Sequence, residues 1–339
     1  MKTLVLEEPG KFNYTDTTID ESLSVDEALV KVQRIGICGT DFHAYRGNQP
    51  FFTYPRILGH ELGVEVLKVG AQVLDVAVGD KCSVEPYLNK TQDQAVRRGF
   101  TNCGENISVL GVHEDGGMRE HFKLPAKYLH RSAKLSYEQL AVVEPLGIGC
   151  HAVNRANIQS DDLVLVVGAG PIGLATVIFA TARGAKTVVM DINQERLNFA
   201  QETISIHGTV LASRDDTIDK LREQFDGDLP TVVLDATGNK HSMAKALDYA
   251  APAGRIVFIG LFQGDFTFHD PYFHKKELTL MASRNALPVD FKQIIRMMEE
   301  GSINIDRWIT HRSSFEEMVD KFDGWLKPEA GVIKAVVSL

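Results

Sequence analysis

The chain has 339 residues, of which 44% are apolar, so it is long enough to form two domains with substantial cores. Its formal net charge is -9 and it has no dense basic cluster, so we expect neither nucleic acid nor a membrane as a partner. Four cysteines are too few for a secreted fold held together by disulfides. Because the N-terminal residues also lack an apolar signal segment, we expect a cytoplasmic protein.

The first 140 residues have the pattern of a β-rich domain. Glycine-containing loops separate short apolar runs at 28–35, 62–69 and 81–84, which is typical of short strands. From about residue 150 strands and helices alternate, with apolar runs at 163–167, 187–190, 231–234 and 255–259. Such alternation predicts a parallel sheet that is covered by helices on both faces.

Three further segments need an interpretation. Residues 163–182 carry no charge and are long enough to span a membrane, but the glycines and the proline in their middle favour a strand, a tight turn and a helix. The charged segment 214–228 has apolar residues at helical spacing, which predicts a solvated surface helix. After residue 290 we expect a return to the first domain, with helices at 290–299 and 314–326 and a strand at 332–337.

A dinucleotide-binding motif follows the first strand of the second region. The turn and the helix start have the sequence Gly168-Ala169-Gly170-Pro171-Ile172-Gly173. The first glycine permits the tight turn, the second lets the backbone approach the pyrophosphate, and the third lets helix and strand pack closely. Asp191 ends the next strand, 23 positions after Gly168, where a carboxylate can bind both ribose hydroxyls and repel a 2′-phosphate. The pattern favours NAD over NADP, although a glycine turn alone can merely join a strand to a helix.

Two later turns end other strands of the same region. They have the sequences Asp235-Ala236-Thr237-Gly238 and Gly260-Leu261-Phe262. Because the carboxyl ends of parallel strands lie at one edge of a sheet, we expect both turns near the cofactor. The second turn, with Gly260 and Leu261, is expected at the nicotinamide end.

The first region contains the residue types of a catalytic zinc site. Cys38 lies in a Gly-Ile-Cys-Gly-Thr-Asp-Phe-His segment, His60 and Glu61 lie in a Gly-His-Glu segment, and Glu144 precedes a proline. A thiolate, an imidazole and a carboxylate can hold zinc and leave a fourth position open for substrate. Alone, each residue has another explanation, as a buried cysteine, a core histidine or an acid at a helix start. Their occurrence together, ahead of a nucleotide-binding motif, favours the zinc site.

With these motifs, the whole chain resembles the medium-chain zinc-dependent dehydrogenases of the sorbitol and threonine dehydrogenase type. The resemblance implies an α/β protein in which a β-rich, GroES-like catalytic domain is split around an inserted Rossmann domain with a doubly wound parallel sheet. The catalytic zinc-binding domain is expected at 1–148 and 290–339, and the NAD-binding domain at 149–289. The resemblance further implies an oxidoreductase that uses zinc and NAD, and a homo-oligomer, either a dimer or a tetramer.

The same resemblance implies how zinc is bound in the first domain. Cys38 and His60 become zinc ligands. Glu61 and Glu144 are the two acids that supply, or exchange for, the third protein ligand, and the sequence leaves open which of them holds the metal. Asp41 is expected beside the ligands as a second carboxylate that orients them.

A route for the substrate proton is implied next to the zinc ligands. Thr40 lies two residues after the cysteine and matches the hydroxyl that accepts the proton of the substrate alcohol. His43 matches the residue that passes this proton through the cofactor ribose to solvent. The hydride goes to the nicotinamide, so the cofactor supplies the redox chemistry and the protein fixes distance and charge.

Two features depart from the family pattern. A glycine usually stands three residues after the glutamate of Gly-His-Glu, but here Val64 holds that place and Gly63 precedes it. The family's second, structural zinc is held by four cysteines, and their places are taken here by Lys90, Asp93, Val96 and Gly104. Because only Cys103 lies next to these positions, a tetrahedral sulfur site cannot form. We expect one zinc ion per subunit, and a lobe held by packing or by polar contacts of the Lys90–Asp93 type.

Several segments resemble the sugar-acid branch of the family, whose members oxidise the C5 hydroxyl of an aldonate such as L-galactonate to a keto-aldonate. These segments are 47–52, 111–113, 115–117, 274–277 and 283–286. Arg284 offers a forked cation for the substrate carboxylate, and His113 and Asn285 are the expected hydroxyl partners. Alternatively, Arg284 pairs with Glu144 and only orders the site. A neutral polyol such as sorbitol, or the related acid gulonate, stays open as the substrate.

Two other functions fit parts of the sequence. A zinc-free reductase of the same superfamily would act on activated double bonds, but Cys38, His60 and Glu144 together argue against it. A regulatory protein that binds NAD without catalysis would keep the same fold, because a fold alone does not fix a function. The presence of Thr40 and His43 beside the zinc residues argues against this second alternative.

Overall fold

The computed structural model of the protein describes residues 1–49, 52–213 and 215–339. The chain separates into two units. The first unit consists of Met1–Pro145 and Leu287–Leu339, and the second of Leu146–Ala286. The second unit is therefore inserted into the first.

Short strands predominate in the chain up to residue 145. These strands are β1 (Lys2–Glu8), β2 (Lys11–Asp16), β3 (Glu27–Ile37), β4 (Glu61–Val69), β5 (Lys81–Val84), β6 (Tyr87–Asn89), β7 (Ile107–Val109), β8 (His121–Pro125) and β9 (Leu129–Arg131). The helices of this part are α1 (Gly39–Tyr45), α2 (Gln94–Arg97), α3 (Tyr137–Ala141) and α4 (Val143–Ala156), the last of which continues into the second unit. Short 3-10 turns lie at Thr101–Cys103 and Ala126–Tyr128.

The rest of the chain alternates strands and helices before it returns to the first unit. The second unit contains β10 (Leu163–Val167), α5 (Pro171–Ala182), β11 (Lys186–Asp191), α6 (Gln194–Thr203), β12 (Gly208–Leu211), α7 (Thr217–Gln224), β13 (Val232–Asp235), α8 (Lys240–Tyr249), β14 (Arg255–Phe258), α9 (Asp270–Lys275) and β15 (Thr279–Ala282). The C-terminal part contains α10 (Pro288–Glu299), β16 (Ile309–Ser314), α11 (Met318–Trp325) and β17 (Lys334–Ser338), with 3-10 turns at Asp306–Trp308 and Pro328–Ala330.

The main sheet of the first unit is organised around β3. Its strand order is β16-β17-β3-β4-β5-β9, and β8 also pairs with β3. The sheet buries apolar residues such as Val30, Leu62 and Phe122 in one core. In the antiparallel register Gly36 of β3 lies opposite Glu61 of β4. The end of β3 and the start of β4 are therefore held side by side.

Close packing explains why a glycine stands at position 63 in β4. A Cβ atom at Gly63 would lie 2.1 Å from the carbonyl oxygen of Tyr137, which is far inside contact distance. The following residue, Val64, is fully buried in the core. The departure from the family pattern at these two positions is thus accommodated by close packing of α3 on β4.

The sheet of the second unit is parallel throughout. Its strand order is β12-β11-β10-β13-β14-β15, which in order of appearance is 3-2-1-4-5-6, the arrangement of the Rossmann fold. The uncharged segment 163–182 is β10, a turn and α5, as expected. No helix among the described residues is long and apolar enough to cross a membrane. The α/β fold class and the Rossmann sheet are confirmed.

Some predicted elements differ in their bounds. The predicted helix 314–326 begins too early, because β16 continues to Ser314, which pairs with Ser338 of β17, and α11 starts only at Met318. The charged segment 214–228 contains α7, where Leu221 and the adjacent Phe225 are buried in the core while Arg222 and Glu223 are exposed, as expected for a surface helix with one apolar face. Arg214 lies outside the described residues, as do Pro50 and Phe51 of the segment 47–52.

Candidate functional site

Three potential metal ligands lie together in the first unit. In the part of the chain that the structure describes, Cys38, His60 and Glu61 are the one group of three such residues whose ligand atoms lie within 4.8 Å of one another. Cys38 directly follows β3, while His60 and Glu61 stand at the start of β4, so the register of these strands brings them together. His60 and Glu61 are buried, and Cys38 is partly exposed. The group therefore has one side accessible to a ligand.

Asp41 organises the loop that carries Cys38. Its Oδ2 accepts a hydrogen bond of 2.9 Å from the backbone N–H of Cys38 and closes the first turn of α1. Its Oδ1 lies 3.9 Å from Nδ1 of His60. Oδ1 of Asp41 and Nδ1 of His60 are both buried, and neither has a hydrogen-bond partner among the described residues. A carboxylate behind a histidine is the usual arrangement for orienting a metal-binding imidazole.

Lys334 was missed by the sequence analysis. It lies at the start of β17, is 2% exposed, and its Nζ is 2.6 and 2.7 Å from the two carboxylate oxygens of Glu61. It also donates to the carbonyl oxygen of Ile37 at 3.2 Å. The signal in the sequence was a lysine at the start of an otherwise apolar strand, since a lysine is almost never fully buried without a partner.

Negative charge predominates around His60. Burial alone lowers the pKa of His60, but the neighbouring Cys38 and Asp41 raise it well above the ordinary value of 6.5. An electrostatic environment that stabilises a protonated imidazole also stabilises a cation bound in its place. With a sulfur, a nitrogen and an oxygen donor, these residues fit a zinc ion, whose common ligands are cysteine, histidine and carboxylates.

Glu144 lies near this group but outside it. It is buried near the start of α4, and its burial raises its pKa above the usual range. The hydroxyl of Tyr87 donates a hydrogen bond to Oε1 of Glu144. Tyr87 was also missed, and the aromatic residue after Glu85-Pro86 gave no distinct signal. Burial and the nearby Glu144 raise the pKa of Tyr87 well above 10.0, so this hydroxyl remains a donor.

The two residues of the expected proton route stand on one helix. Thr40 is partly buried in the first turn of α1, and His43 is exposed three residues later. Side chains three residues apart on a helix are neighbours. The arrangement leads from the neighbourhood of Cys38 towards solvent.

The glycine turn of the second unit has the geometry that the motif predicts. Gly168 has a φ of +99°, a conformation that favours glycine. A Cβ atom at Gly173 would lie 1.7 Å from the carbonyl oxygen of Gly168, so only glycine fits there. Gly170 caps α5, and Pro171 and Ile172 form its first turn with the backbone N–H groups of the helix start unopposed by a side-chain cap. Such a helix start suits a pyrophosphate.

Asp191 lies directly beside this turn. Its Oδ2 accepts a hydrogen bond of 2.6 Å from the backbone N–H of Ala169, and its Oδ1 accepts one of 2.8 Å from that of Asn193. An ionised carboxylate has about four acceptor sites, so capacity for two hydroxyl groups is left. Next to it, Ile192 is 85% exposed, which is unusual for a large apolar side chain.

The turns after β13 and β14 meet at the same edge of the sheet. A Cβ atom at Gly260 would lie 2.1 Å from the backbone nitrogen of Gly238, so the two turns are in close contact. Asp235 is fully buried and accepts hydrogen bonds from the backbone N–H and the hydroxyl of Thr237. Leu261 is 72% exposed. Asp235 thus orders the turn that carries Thr237.

The lobe without cysteine ligands is held by backbone contacts. Asp93 accepts hydrogen bonds from the backbone N–H groups of Val96 at 3.1 Å and of Glu105 at 2.7 Å, and so joins the two ends of the lobe. Lys90 forms an ion pair with Glu114 at 2.7 Å. Polar contacts of Lys90 and Asp93 are present as expected. The two residues do not pair with each other, however, but with separate partners. Cys103 is exposed, and a Cβ at Gly104 would lie 2.2 Å from the side-chain oxygen of Asn89.

The three residues expected at the substrate fall in both units. His113 is exposed in the first unit, and its Nδ1 accepts a hydrogen bond of 3.1 Å from the backbone N–H of Val109. Arg284 and Asn285 lie in the second unit after β15, where Arg284 is exposed and Asn285 has a φ of 55°.

Known proteins resemble the chain over nearly its whole length. Residues 24–134 match the family of alcohol dehydrogenase GroES-like domains, and residues 171–300 match the zinc-binding dehydrogenase family. The L-galactonate-5-dehydrogenase of Escherichia coli K12 is 42% identical over 313 residues, which cover 92% of each chain.

Solved structures agree with this match. The alcohol dehydrogenase rspB of Escherichia coli CFT073, complexed with NADH, superposes with a TM-score of 0.93 at 29% identity and covers 100% of this chain and 99% of that one. A zinc-binding dehydrogenase of Sinorhizobium meliloti 1021 bound to NADP gives a TM-score of 0.91 at 28% identity, with the same coverage.

These findings agree with the sequence motifs and with the two sheets. The match to the GroES-like domain family lies within the first unit, and most of the match to the zinc-binding dehydrogenase family lies in the second unit, with its last residues, 287–300, in the first. The relatives include a sugar-acid dehydrogenase, and the solved structures carry nicotinamide cofactors. The chain therefore belongs to the zinc-type medium-chain dehydrogenases and is an oxidoreductase of that family.

Proposed function

We propose that this protein oxidises the C5 hydroxyl of a sugar acid, L-galactonate or a closely related aldonate, to a keto-aldonate with NAD. The observation that carries the proposal is the group of Cys38, His60 and Glu61, which combines a zinc donor set with an accessible side. The 42% identity to an L-galactonate-5-dehydrogenase supports the choice of substrate. The zinc-free reductase and the non-catalytic NAD-binding protein would have no use for this donor set.

One zinc ion per subunit is held by Cys38, His60 and Glu61. When bound, zinc lowers the pKa of a coordinated hydroxyl towards neutrality. Asp41 orients His60, and Lys334 fixes the carboxylate of Glu61 while it offsets one of the negative charges. Glu144 stays close as a second acid, positioned by Tyr87. No structural zinc is needed, since Asp93 joins the two ends of the lobe.

Thr40 and His43 move the substrate proton. The Thr40 hydroxyl would accept the proton from the substrate alcohol while it donates its own onward in the direction of His43, so no net charge accumulates on threonine. His43 then transfers the proton to solvent, which its exposed position on α1 allows. Removal of this proton leaves the substrate ready to lose its carbon-bound hydrogen as a hydride.

The second unit binds NAD, which accepts the hydride. The backbone N–H groups at the start of α5 bind the pyrophosphate, and Asp191 binds the adenosine ribose. The exposed side chains of Ile192 and Leu261 supply apolar surface for the adenine and nicotinamide ends. Thr237 and Gly260 lie at the same edge of the sheet and line the path of the cofactor between its adenine and nicotinamide ends.

Arg284 binds the carboxylate of the substrate. A guanidinium group forms two parallel hydrogen bonds with a carboxylate, which fixes both the position and the orientation of a linear sugar acid. His113 and Asn285 donate to or accept from the remaining hydroxyls. A neutral polyol lacks the group that Arg284 recognises, so the enzyme distinguishes sugar acids from polyols at this residue.

The first prediction concerns the number of zinc ions. Cys38→Ser is expected to remove most of the bound zinc and nearly all activity, because a hydroxyl is a much weaker zinc ligand than a thiolate. Cys103→Ser serves as the matched control and is expected to change neither. Zinc content is measured by atomic emission on purified protein, and wild-type protein with two zinc ions per subunit would contradict the proposal.

The second prediction identifies the third zinc ligand. Glu61→Gln alone would leave Lys334 buried without a counter-ion, so the double variant Glu61→Gln with Lys334→Met is used. Its Kd for zinc is expected to rise more than about 100-fold, whereas Glu144→Gln is expected to change it by about 10-fold or less, as for a residue beside the ligands. The Kd values are obtained by competition with a chromogenic chelator, with wild-type protein as the reference. If Glu144→Gln raised the Kd for zinc more than the double variant did, the third zinc ligand would be Glu144.

The third prediction concerns cofactor choice. Asp191→Ser is expected to weaken NAD binding by about 10- to 100-fold, which corresponds to the loss of charged hydrogen bonds of about 1.5–3 kcal/mol. Because the carboxylate also repels a 2′-phosphate, the Kd for NADP should rise less or should fall. Both values are measured by fluorescence titration. Equal weakening of NAD and NADP would mean that Asp191 only supports the glycine turn.

The fourth prediction concerns the substrate. Arg284→Ala is expected to lower kcat/KM for L-galactonate by about 10- to 100-fold, since a charge-assisted contact of about 1.5–3 kcal/mol is lost. The kcat/KM for sorbitol should stay within a few-fold of the wild-type value. NADH absorbance is followed with a panel of aldonates and polyols. The carboxylate proposal fails if wild-type enzyme uses neutral polyols as well as any sugar acid.

A further inference from the structure

The first unit contains a cavity whose lining includes none of the candidate zinc ligands. It has a volume of about 380 Å³, which is in the range of pockets that bind small metabolites. Residues of the 126–131 segment line one side, and a face of α10 lines the other. Its charged lining residues are Lys127, Arg131, Lys292, Arg296, Asp75 and Glu299.

Positive charge is in excess in this cavity, although the whole chain has a net charge of -9. Lys292 and Arg296 stand four residues apart on α10, so they are neighbours of like charge, which destabilises a helix. Within the described ranges neither of them has an acidic partner within 4.0 Å. Of the two acids, Glu299 already accepts a hydrogen bond of 2.5 Å from Ser132. Of the other two cations, Arg131 lies 4.0 Å from Asp80, and Lys127 stands over the ring of Tyr128. All four cations are exposed, so an anion that joins them gains from their combined charge.

The lining of the cavity includes one buried polar residue, His130. His130 is only 5% exposed and forms a 2.8 Å hydrogen bond through Nε2 with the buried Glu85. Its ring stacks on Phe291 of α10 with a centroid distance of 4.8 Å. These contacts hold β9 and α10, which both contribute cations to the lining, against each other.

We propose that this cavity binds a phosphorylated polyhydroxy metabolite. The two cations of α10 that have no acidic partner among the described residues, with the two cations beside them in the lining, match a phosphate group, which carries close to two negative charges and three strong acceptor oxygens at neutral pH. The acids of the lining, Asp75 and Glu299, repel a second anionic group but accept hydrogen bonds from hydroxyls. The ligand class is therefore a sugar phosphate rather than a sugar acid. This site is separate from the proposed substrate site and does not depend on it.

The test uses the enzyme saturated with zinc and NAD, so that neither the metal nor the pyrophosphate site can take up phosphate. Binding of D-glucose 6-phosphate, D-gluconate and D-glucose is measured by isothermal titration calorimetry at one low ionic strength, because salt screens exposed charges. Wild-type enzyme is expected to bind glucose 6-phosphate at least tenfold more tightly than gluconate, and glucose not measurably. Equal affinity for gluconate and glucose 6-phosphate would overturn the assignment to a phosphate.

The variant Lys292→Gln with Arg296→Gln is expected to raise the Kd for glucose 6-phosphate at least tenfold, and Lys127→Gln is expected to raise it by a smaller factor. The variant Lys11→Gln with Lys321→Gln removes the same amount of charge elsewhere on the first unit, where both lysines form exposed ion pairs, and is expected to bind like the wild type. Circular dichroism verifies that each variant is folded. Unchanged affinity in Lys292→Gln with Arg296→Gln, or an equal loss in the control variant, overturns the proposal.

Discussion

The ion pair of Lys334 and Glu61 connects strand β17 with the candidate metal ligands, and the geometry of that group depends on it. Both side chains are almost completely buried, and neither charge is favourable there without the other. Because Lys334 begins β17, and β17 pairs with β3, the pair fixes the strand end that precedes Cys38. Burial lowers the pKa of Lys334, but Glu61 and Cys38 raise it above its ordinary value, so the lysine remains charged. One buried cation thus offsets part of the negative charge that Glu61 and Cys38 place beside it.

Aspartates that accept backbone hydrogen bonds recur at each candidate site. Asp41 binds the N–H of Cys38, Asp191 binds the N–H of Ala169 in the glycine turn, and Asp93 binds two N–H groups of the cysteine-poor lobe. In each case a short carboxylate satisfies donors that would otherwise need another partner. In the lobe, the hydrogen bonds that Asp93 accepts stabilise less than a bound metal ion would, but they require neither a metal nor a thiolate. The same chemistry positions a ligand loop, a cofactor turn and a structural lobe.

Much of the fold was predictable because it depends on local patterns. The alternation of strands and helices and the spacing of Gly168, Gly173 and Asp191 gave the Rossmann sheet, since close helix packing and a tight turn leave few residue choices. The start of α11 was not predictable, because the pairing of Ser314 with Ser338 extends β16 through a segment whose composition suits a helix. Strand ends are determined by a partner that is distant in sequence. Tertiary pairing can therefore override a local helical preference.

For the candidate site, the sequence by itself determined the donor types and their order: a cysteine after one strand, a histidine and an acid before the next, and a glycine turn with an acid after it. It also determined that four cysteines of a structural zinc site are missing. Only the tertiary structure decided which acid stands with Cys38 and His60, because Glu61 and Glu144 are equivalent in charge and differ only in where their strand and helix place them. It alone revealed Lys334 and Tyr87, whose partners are 273 and 57 residues away along the chain. Charge pairing and hydrogen bonding act over distances in space, and a sequence pattern records only distances along the chain.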